Sequence, residues 1–257
     1  MQISAKRNGI RACREKSRHT HESGRHRKYL GLILLAGLGI GTAQADLITN
    51  GGFESGFAGW TTVNETGSFP VGDWFVQSGT TSPVNGFPVP APPGGINAAM
   101  TDQSGAGSHA LLQSFTVDPA SIVTLSFDLF VNNLASGFFT PDSLDFNTIP
   151  NQQARVDILT AGAGAFDLGS SVVDNVLTPS ANSTNYVHYS FDLTNALGDG
   201  GTFQIRFAEV DNQFYFNLGV DNVSIQASPS VVPEPRSWAA LGLILLGLGG
   251  MRRLAVR

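Results

Sequence analysis

Apolar and polar residues alternate along much of the chain between residues 46 and 228. In residues 122–131 (IVTLSFDLFV), every second side chain from Val123 to Val131 is apolar, and the positions between them include Thr124, Ser126 and Asp128. Neighbouring side chains of a β-strand point to opposite faces of the sheet. The pattern therefore predicts a half-buried strand with Val123 and its phase facing a core.

The same period of two recurs in other segments, and no helical period is present between them. It predicts that every second side chain from Val187, and every second side chain from Phe203, faces the core. The further strand candidates are Leu111–Val117, Ala154–Leu159, Tyr186–Leu193, Phe203–Val210 and Val220–Gln226. Turns rich in Gly, Asn, Asp, Ser and Pro separate these strands, as is typical of sandwiches. We therefore predict one all-β domain over residues 46–228, a two-sheet antiparallel jelly-roll sandwich of eight to ten strands.

Two long segments interrupt the strand pattern, namely Gln77–Ala99, which is rich in Pro and Gly, and Asn132–Gln153. Stretches of this length inside a compact domain are usually functional or mobile loops.

The N-terminal residues have the pattern of an export signal. A basic stretch precedes the apolar run Tyr29–Gly41, and small residues follow at Ala43 and Ala45. This order predicts a signal peptide over residues 1–45, with an apolar helix, that signal peptidase removes before Asp46. An uncleaved anchor is the alternative, although the run is shorter than the roughly 20 residues that cross a bilayer.

The C-terminal residues 229–257 also combine an apolar run with basic residues, but here the basic residues follow the run. Pro233-Glu234-Pro235 precedes the apolar run Trp238–Met251, and Arg252 and Arg253 follow it. The run predicts a short transmembrane helix, and basic residues after a span remain on the cytoplasmic side. The preceding domain would then lie outside the inner membrane, anchored there transiently.

This tail resembles the PEP-CTERM sorting signal through the VPEP sequence (Val232–Pro235), the apolar span and the terminal arginines. The resemblance implies that exosortase, a membrane enzyme similar to transpeptidases, recognises the tail and removes it near Pro233-Glu234-Pro235. The protein would then reach the cell surface or an extracellular matrix of exopolysaccharide. A plain tail anchor is the alternative, but it does not account for the Pro-Glu-Pro sequence.

Charge is distributed unevenly along the chain. Residues 46–232 contain two basic residues, Arg155 and Arg206, against seventeen acidic ones, a formal balance of −15. Such a domain repels phosphate backbones, so nucleic acid is excluded as a partner. The only cysteine, Cys13, lies in the leader, so the domain has no disulfide.

The start and end of the domain resemble jelly-roll carbohydrate-binding modules of the galactose-binding-like fold. The resemblance rests on residues 50–54 (NGGFE) with Gly59-Trp60, on residues 220–225 (VDNVSI), and on residues 108–113 (SHALLQ), where these modules often place a Gln. It implies that residues 50–54 form the first strand, and it suggests polysaccharide as a partner. We therefore expect Trp74, Phe139 and Tyr215 to be sugar-stacking candidates, with core packing as the alternative for each aromatic residue and the preferred one for Trp60.

Glu54 and Asp221 are the candidate metal ligands. Asp221 shares its phase with Val223 and Ile225, so it should face the core with them, and a buried charge is costly without a partner. Calcium prefers carboxylate and carbonyl oxygens, and the resembling modules coordinate a structural calcium ion at the positions of Glu54 and Asp221. The alternative is that Asp221 accepts hydrogen bonds from backbone amides of a turn.

No catalytic signature is present. The domain has two histidines, His109 and His188, and no nucleophile motif or metalloprotease motif. His188 lies on the polar phase of its strand, and the two arginines should pair with neighbouring carboxylates. The sequence thus favours a non-catalytic surface or matrix protein that binds polysaccharide. A purely structural matrix component and a secreted glycosidase or other hydrolase are the alternatives.

Overall fold

The computed structural model describes residues 44–70, 72–102 and 105–230. These residues form eleven strands, a single 3-10 turn at Gly169–Ser171 and one four-residue helix, α1 (Thr194–Leu197). The strands are β1 (Ala45–Asp46), β2 (Thr61–Asn64), β3 (Trp74–Gln77), β4 (Ala98–Thr101), β5 (Gly107–Val117), β6 (Ser121–Asn133), β7 (Gln152–Thr160), β8 (Val172–Leu177), β9 (Val187–Asp192), β10 (Gly201–Asp211) and β11 (Phe216–Pro229).

The strands form two antiparallel sheets. Sheet A has the order β3-β4-β11-β6-β9, with the short β1 also paired to β11, and sheet B has the order β2-β5-β10-β7-β8. The chain crosses repeatedly from one sheet to the other, since β5, β7 and β10 lie in sheet B while β6 and β11 lie in sheet A. The predicted all-β two-sheet sandwich is therefore confirmed.

The main core lies between the two sheets, and it contains the predicted phases of β6 and β10. Val123, Leu125 and Phe127 of β6 are buried there, and Ile205 and Phe207 of β10 face them. The predicted inward phase of β9 is wrong at its first residue. Val187 is 41% exposed, because β9 is the edge strand of sheet A.

Loops cover part of the outer face of each sheet. In sheet A, Met100 and Phe130 point away from the main core and form a second apolar cluster with Val89, which belongs to the long β3–β4 loop. The hydroxyl of Tyr186 lies over Gly219, where a Cβ atom would stand 2.5 Å from it. The β3–β4 loop, which makes up most of the Gln77–Ala99 segment, therefore covers part of sheet A through Val89.

Residues 50–54 do not form the expected first strand. They belong to a run of turns, in which Asn50 and Phe53 have positive φ angles of 54°. The Asn50 side chain accepts a hydrogen bond from the amide of Ser55, and the indole of Trp60 donates to the Asn50 carbonyl at 3.1 Å. Trp60 itself is buried in the main core, as predicted.

The predicted signal helix and the predicted C-terminal span both lie outside the described residues, together with Pro233, Glu234, Pro235, Arg252 and Arg253. In the part of the chain that the structure describes, no helix has the length and apolar character needed to cross a membrane.

Candidate functional site

The turn between β10 and β11 is held firmly at one end of the sandwich, which we call the groove end. The side-chain oxygen of Gln152 accepts hydrogen bonds from the amides of Asn212 (3.2 Å) and Gln213 (3.0 Å), and its nitrogen donates to the Phe214 carbonyl at 2.8 Å. The Leu134 amide donates to the Tyr215 carbonyl at 3.0 Å. A single glutamine at the start of β7 therefore shapes the whole turn.

This turn forms one wall of a groove of about 250 Å³. The groove is lined by Gly105, Ala106, Asp211, Asn212, Gln213, Phe214 and Tyr215. The Phe214 ring is 55% exposed, and its centroid lies 4.9 Å from that of Tyr215 in an edge arrangement. Phe87 packs against the other side of Tyr215 at 5.6 Å. The groove thus combines aromatic rings with amide and carboxylate groups.

Further apolar side chains are exposed around the same end. Phe69 is bound through its amide to the carbonyl of Ala106, a groove residue, and Leu134 is bound to Tyr215. Both side chains are exposed, as is Ile149 of the β6–β7 loop. Exposed apolar groups that gather at one place mark a binding surface more often than isolated ones do.

The structure brings two of the three sugar-stacking candidates to this end. Tyr215 lines the groove, and Phe139 pairs through its backbone with Gln152, the residue that holds the turn. Trp74 lies in β3 rather than in a loop and is 4% exposed, since its ring packs in the main core. Trp74 therefore offers no surface on which a sugar ring could stack. Phe214, which the sequence analysis missed, is more exposed than any of the three.

Both arginines of the described residues lie away from the groove, on the outer face of sheet B. Arg155 and Arg206 bind the two oxygens of Asp157 at 2.9 Å and 2.6 Å. Arg206 also donates to the carbonyls of Ala165 and Asp167, so all three of its nitrogens make hydrogen bonds. The predicted pairing of the arginines with carboxylates is confirmed, and no cation lines the groove among the described residues.

Glu54, in the turns before β2, and Asp221, in β11, both bind the β3–β4 loop. Glu54 accepts hydrogen bonds from the amides of Ile96 and Asn97, both at 2.9 Å, and Asp221 accepts one from the amide of Gly94 at 3.0 Å. Three amides within residues 94–97 of one loop therefore connect the two carboxylates. The sequence left open that Asp221 accepts hydrogen bonds from backbone amides, and the structure shows such bonds from Gly94 and Asn222.

The phase argument for Asp221 is wrong. Asp221 pairs with Asp128 on the outer face of sheet A, while Val223 and Ile225 face the core. A β-bulge between Asp221 and Ser224 changes the phase, and Asn222 within it has a φ of 51°. Asp221 is nevertheless fully buried, because the loop around Gly94 covers it.

The environment of Asp221 disfavours its charge. Burial raises its pKa to about 6, and the charges of Asp128 and Glu54 add to the shift, while the amides of Asn222 and Gly94 oppose it. In residues 44–70, 72–102 and 105–230, no three His, Cys, Asp or Glu side chains form a group that could hold a metal ion. A calcium ion here would need backbone carbonyls or water beside the two carboxylates.

A second buried acidic group lies beneath the groove. Glu209 stands two residues before Asp211 on the core face of β10, directly opposite His109 of β5. Both side chains are fully buried. The sequence pattern assigned no role to His109 and did not single out Glu209. The phase of Phe203, Ile205 and Phe207 could have revealed Glu209, since it continues that inward phase.

The remaining residues singled out in the sequence have structural contacts. Gln113 clamps Thr49, whose amide donates to its side-chain oxygen at 2.6 Å and whose carbonyl accepts from its nitrogen at 2.9 Å. His188 is exposed, as predicted, and contacts Asp128 at 2.8 Å.

No protein-family model matches this chain, and no curated protein matches it. Among solved structures, TmCBM61 in complex with β-1,4-galactotriose is 12% identical, with a TM-score of 0.43 over 70% of this chain and 97% of that one. The K1 cleaved adhesin domain of Lys-gingipain from Porphyromonas gingivalis W83 is 14% identical, with a TM-score of 0.43 over 70% and 96%. A cyclase from Fischerella sp. TAU is 16% identical, with a TM-score of 0.43 over 74% and 100%. Similarities this distant assign neither a ligand nor an activity to this chain.

Proposed function

We propose that this chain is an exported, non-catalytic protein of the cell surface or extracellular matrix, and that its sandwich binds polysaccharide in the groove. The terminal patterns support export by signal peptidase and sorting by exosortase. The groove supports binding, since the exposed Phe214 and the half-buried Tyr215 lie beside the amides of Asn212 and Gln213. The exposed Phe214 ring is the observation that carries the proposal, because an aromatic face gives the apolar face of a sugar a place to stack.

The charges of the groove favour a neutral glycan. Asp211 is the only charged residue in its lining, and Arg155 and Arg206 are held by Asp157 on another face. An acidic glycan would find no cation to bind and would be repelled by the carboxylates of the domain. At about 250 Å³ the groove is also smaller than the roughly 300–1,000 Å³ of sites that enclose drug-sized ligands. It suits one or two sugar residues.

The test is a glycan array probed with the full chain and with Phe214→Ala. We expect the full chain to bind neutral glycans and Phe214→Ala to lose about tenfold or more in affinity, because a stacking contact of 1–2 kcal/mol is removed. The matched control is Ile122→Ala, which removes an exposed apolar side chain of similar exposure at the opposite end of β6.

Binding that Phe214→Ala and Ile122→Ala weaken equally would contradict the groove as the site. Binding of acidic glycans alone would contradict the charge argument. A chain that binds no glycan would favour the purely structural alternative, and release of reducing sugar would favour a glycosidase.

We also propose that Glu54 and Asp221 hold a structural calcium ion at the β3–β4 loop. Support comes from the closeness of two carboxylates and from the raised pKa of Asp221. When bound, the cation would offset the mutual repulsion of these groups. Glu54 and Asp221 would then connect the loop around Gly94 to β11 through the ion as well as through hydrogen bonds.

A further inference from the structure

A buried histidine and a buried glutamate lie side by side beneath the groove. His109 and Glu209 are cross-strand partners, and such pairs place their Cβ atoms about 5 Å apart. Both point into the core, in the phases of Leu111 and Phe207. No part of either residue is exposed. Two titratable groups are therefore enclosed at the same point of the sandwich.

The hydrogen bonds around His109 determine which ring nitrogen carries its proton. The Asn64 nitrogen donates to Asp73, so its oxygen faces the ring and lies 2.8 Å from His109 Nδ1. An oxygen acceptor here requires the hydrogen at Nδ1. Nε2 then carries a lone pair. It is buried and has no hydrogen-bond partner among the described residues.

Glu209 supplies the missing donor. Both of its carboxyl oxygens are buried without a hydrogen-bond partner in the described part of the chain. A carboxylic acid offers one O–H donor, whereas a carboxylate offers none. Burial raises the pKa of Glu209 well above its ordinary value, with a further contribution from the charge of Asp211, and burial lowers the pKa of His109 to about 4.

We propose that His109 and Glu209 together hold a single proton, and that this proton keeps the groove end of the sandwich closed. Because the two residues are direct cross-strand partners, the O–H of Glu209 can donate to the lone pair of His109 Nε2 and satisfy both groups. Loss or gain of a proton leaves a buried charge that nothing compensates.

Within residues 44–70, 72–102 and 105–230, the charged groups nearest this pair do not compensate such a charge. On the core face, Asp211 is the one further charged residue near Glu209, and it is also acidic. The strand on the other side, β7, presents Ala154 opposite Glu209. Asp73 reaches His109 only through Asn64. Arg206 points to the opposite face of β10, where it is bound to Asp157.

The proposal fixes how stability depends on pH. The native pair holds one proton, whereas the unfolded pair holds two below the ordinary Glu value of 4.5, one between 4.5 and the ordinary His value of 6.5, and none above 6.5. Stability follows the difference in bound protons. The contribution of this pair to stability is therefore independent of pH from 4.5 to 6.5. Above 6.5, the folding equilibrium constant falls by up to tenfold per pH unit until Glu209 ionises.

The experiment is urea unfolding of the full chain from pH 5 to 9, compared with Glu209→Gln. Gln cannot ionise, so we expect the stability of the variant not to decline above pH 6.5. Between pH 4.5 and 6.5 its stability should rise with pH, because the unfolded His109 loses a proton that the native variant does not bind. Asp199→Asn, an exposed change at the opposite end, is the control and should keep the wild-type profile. The comparison uses the differences between the three stability–pH profiles, because the titration of Asp221 contributes equally to each of them.

Equal profiles of wild type and Glu209→Gln would overturn the proposal. Should the variant fail to fold, NMR of the wild type at pH 7 reads the carboxyl carbon of Glu209 and the ring nitrogens of His109. One proton on the pair, on either residue, supports the proposal, and none or two overturns it. The protection factors of the Asn212 and Gln213 amides, which correct the exchange rate for its base-catalysed rise with pH, should fall above pH 6.5 in the wild type; unchanged protection factors would refute the link to the groove end.

Discussion

Two buried aspartates, Asp157 and Asp221, differ in what offsets the cost of burying their charge. Burial acts to raise the pKa of Asp157, but hydrogen bonds from Arg155 and the charge and hydrogen bonds of Arg206 outweigh it, so the pKa is lowered. Asp221 has no cationic partner, and its pKa rises to about 6. Removing one partner from a buried ion pair costs about 3–5 kcal/mol, so Asp157 is secured by the two arginines. Asp221 is the carboxylate that still lacks a cation.

Calcium should therefore stabilise the protein through Asp221. In chelator at pH 8, we expect Asp221→Asn to melt higher than wild type, because the raised pKa of Asp221 makes stability fall as the pH rises from its ordinary value of 3.8 to about 6, and that loss persists at pH 8. Calcium should raise the melting temperature of wild type and leave that of Asp221→Asn unchanged. Thermal unfolding in calcium and in chelator measures both effects.

Asp199→Asn again serves as the control and should respond to calcium as wild type does. A calcium shift of the same size in Asp221→Asn would place the ion elsewhere, and no shift in wild type would refute the site.

At the scale of elements, the turns that replace the expected first strand pack directly on the bulge of β11. The Val223 amide donates to the Gly51 carbonyl at 3.0 Å, and a Cβ atom on Gly51 would lie 1.8 Å from the Val223 carbonyl oxygen. The two backbones thus touch where the bulge changes the phase of the strand. Glu54 follows Gly51 by three residues, so this contact also positions the calcium candidate.

Gly51→Ala should destabilise the protein by about 1–3 kcal/mol, because the added methyl group forces the two backbones apart. It should also weaken the response to calcium, since Glu54 moves with the turn. Gly162→Ala is the control, because a Cβ atom there meets nothing within 4 Å. Chemical denaturation measures both; equal stability of the two variants would show that the close contact is dispensable.

At the scale of the whole molecule, the loops make the sandwich asymmetric. The groove, the exposed Phe214 and the buried His109–Glu209 pair all lie at the end where β10 turns into β11. Strand β11 ends at Pro229, at the other end of its pairing with β6. A chain held by its C-terminal side would therefore leave the groove end free for a ligand.

Processing is the prediction at this scale. We expect the surface form to begin at Asp46 and to lack Arg252 and Arg253, because both apolar runs are flanked like removable signals. Intact-mass spectrometry of the exported protein reads both ends. Glu234→Ala should block removal of the tail, while the neighbouring Ser237→Ala should not. A surface protein that still ends in Arg257 would contradict sorting by exosortase.

The sequence by itself determined the features that depend on neighbours in the chain. Period-two alternation is local, so the phases of β6 and β10, and with them the two-sheet sandwich, could be predicted. Tyr215 could be named as a sugar-stacking candidate from its aromatic side chain. The scarcity of basic residues among seventeen acidic ones predicted that Arg155 and Arg206 pair with carboxylates.

Only the tertiary structure decided what distant segments do to one another. Register brings Glu209 opposite His109 across one hundred residues, and a bulge sends Asp221 to the face opposite Val223. Trp74 became a core residue, because long-range packing rather than local sequence sets burial. Pairing partners and phase changes arise from contacts between strands far apart in the chain, and such contacts leave no periodic signal within either strand.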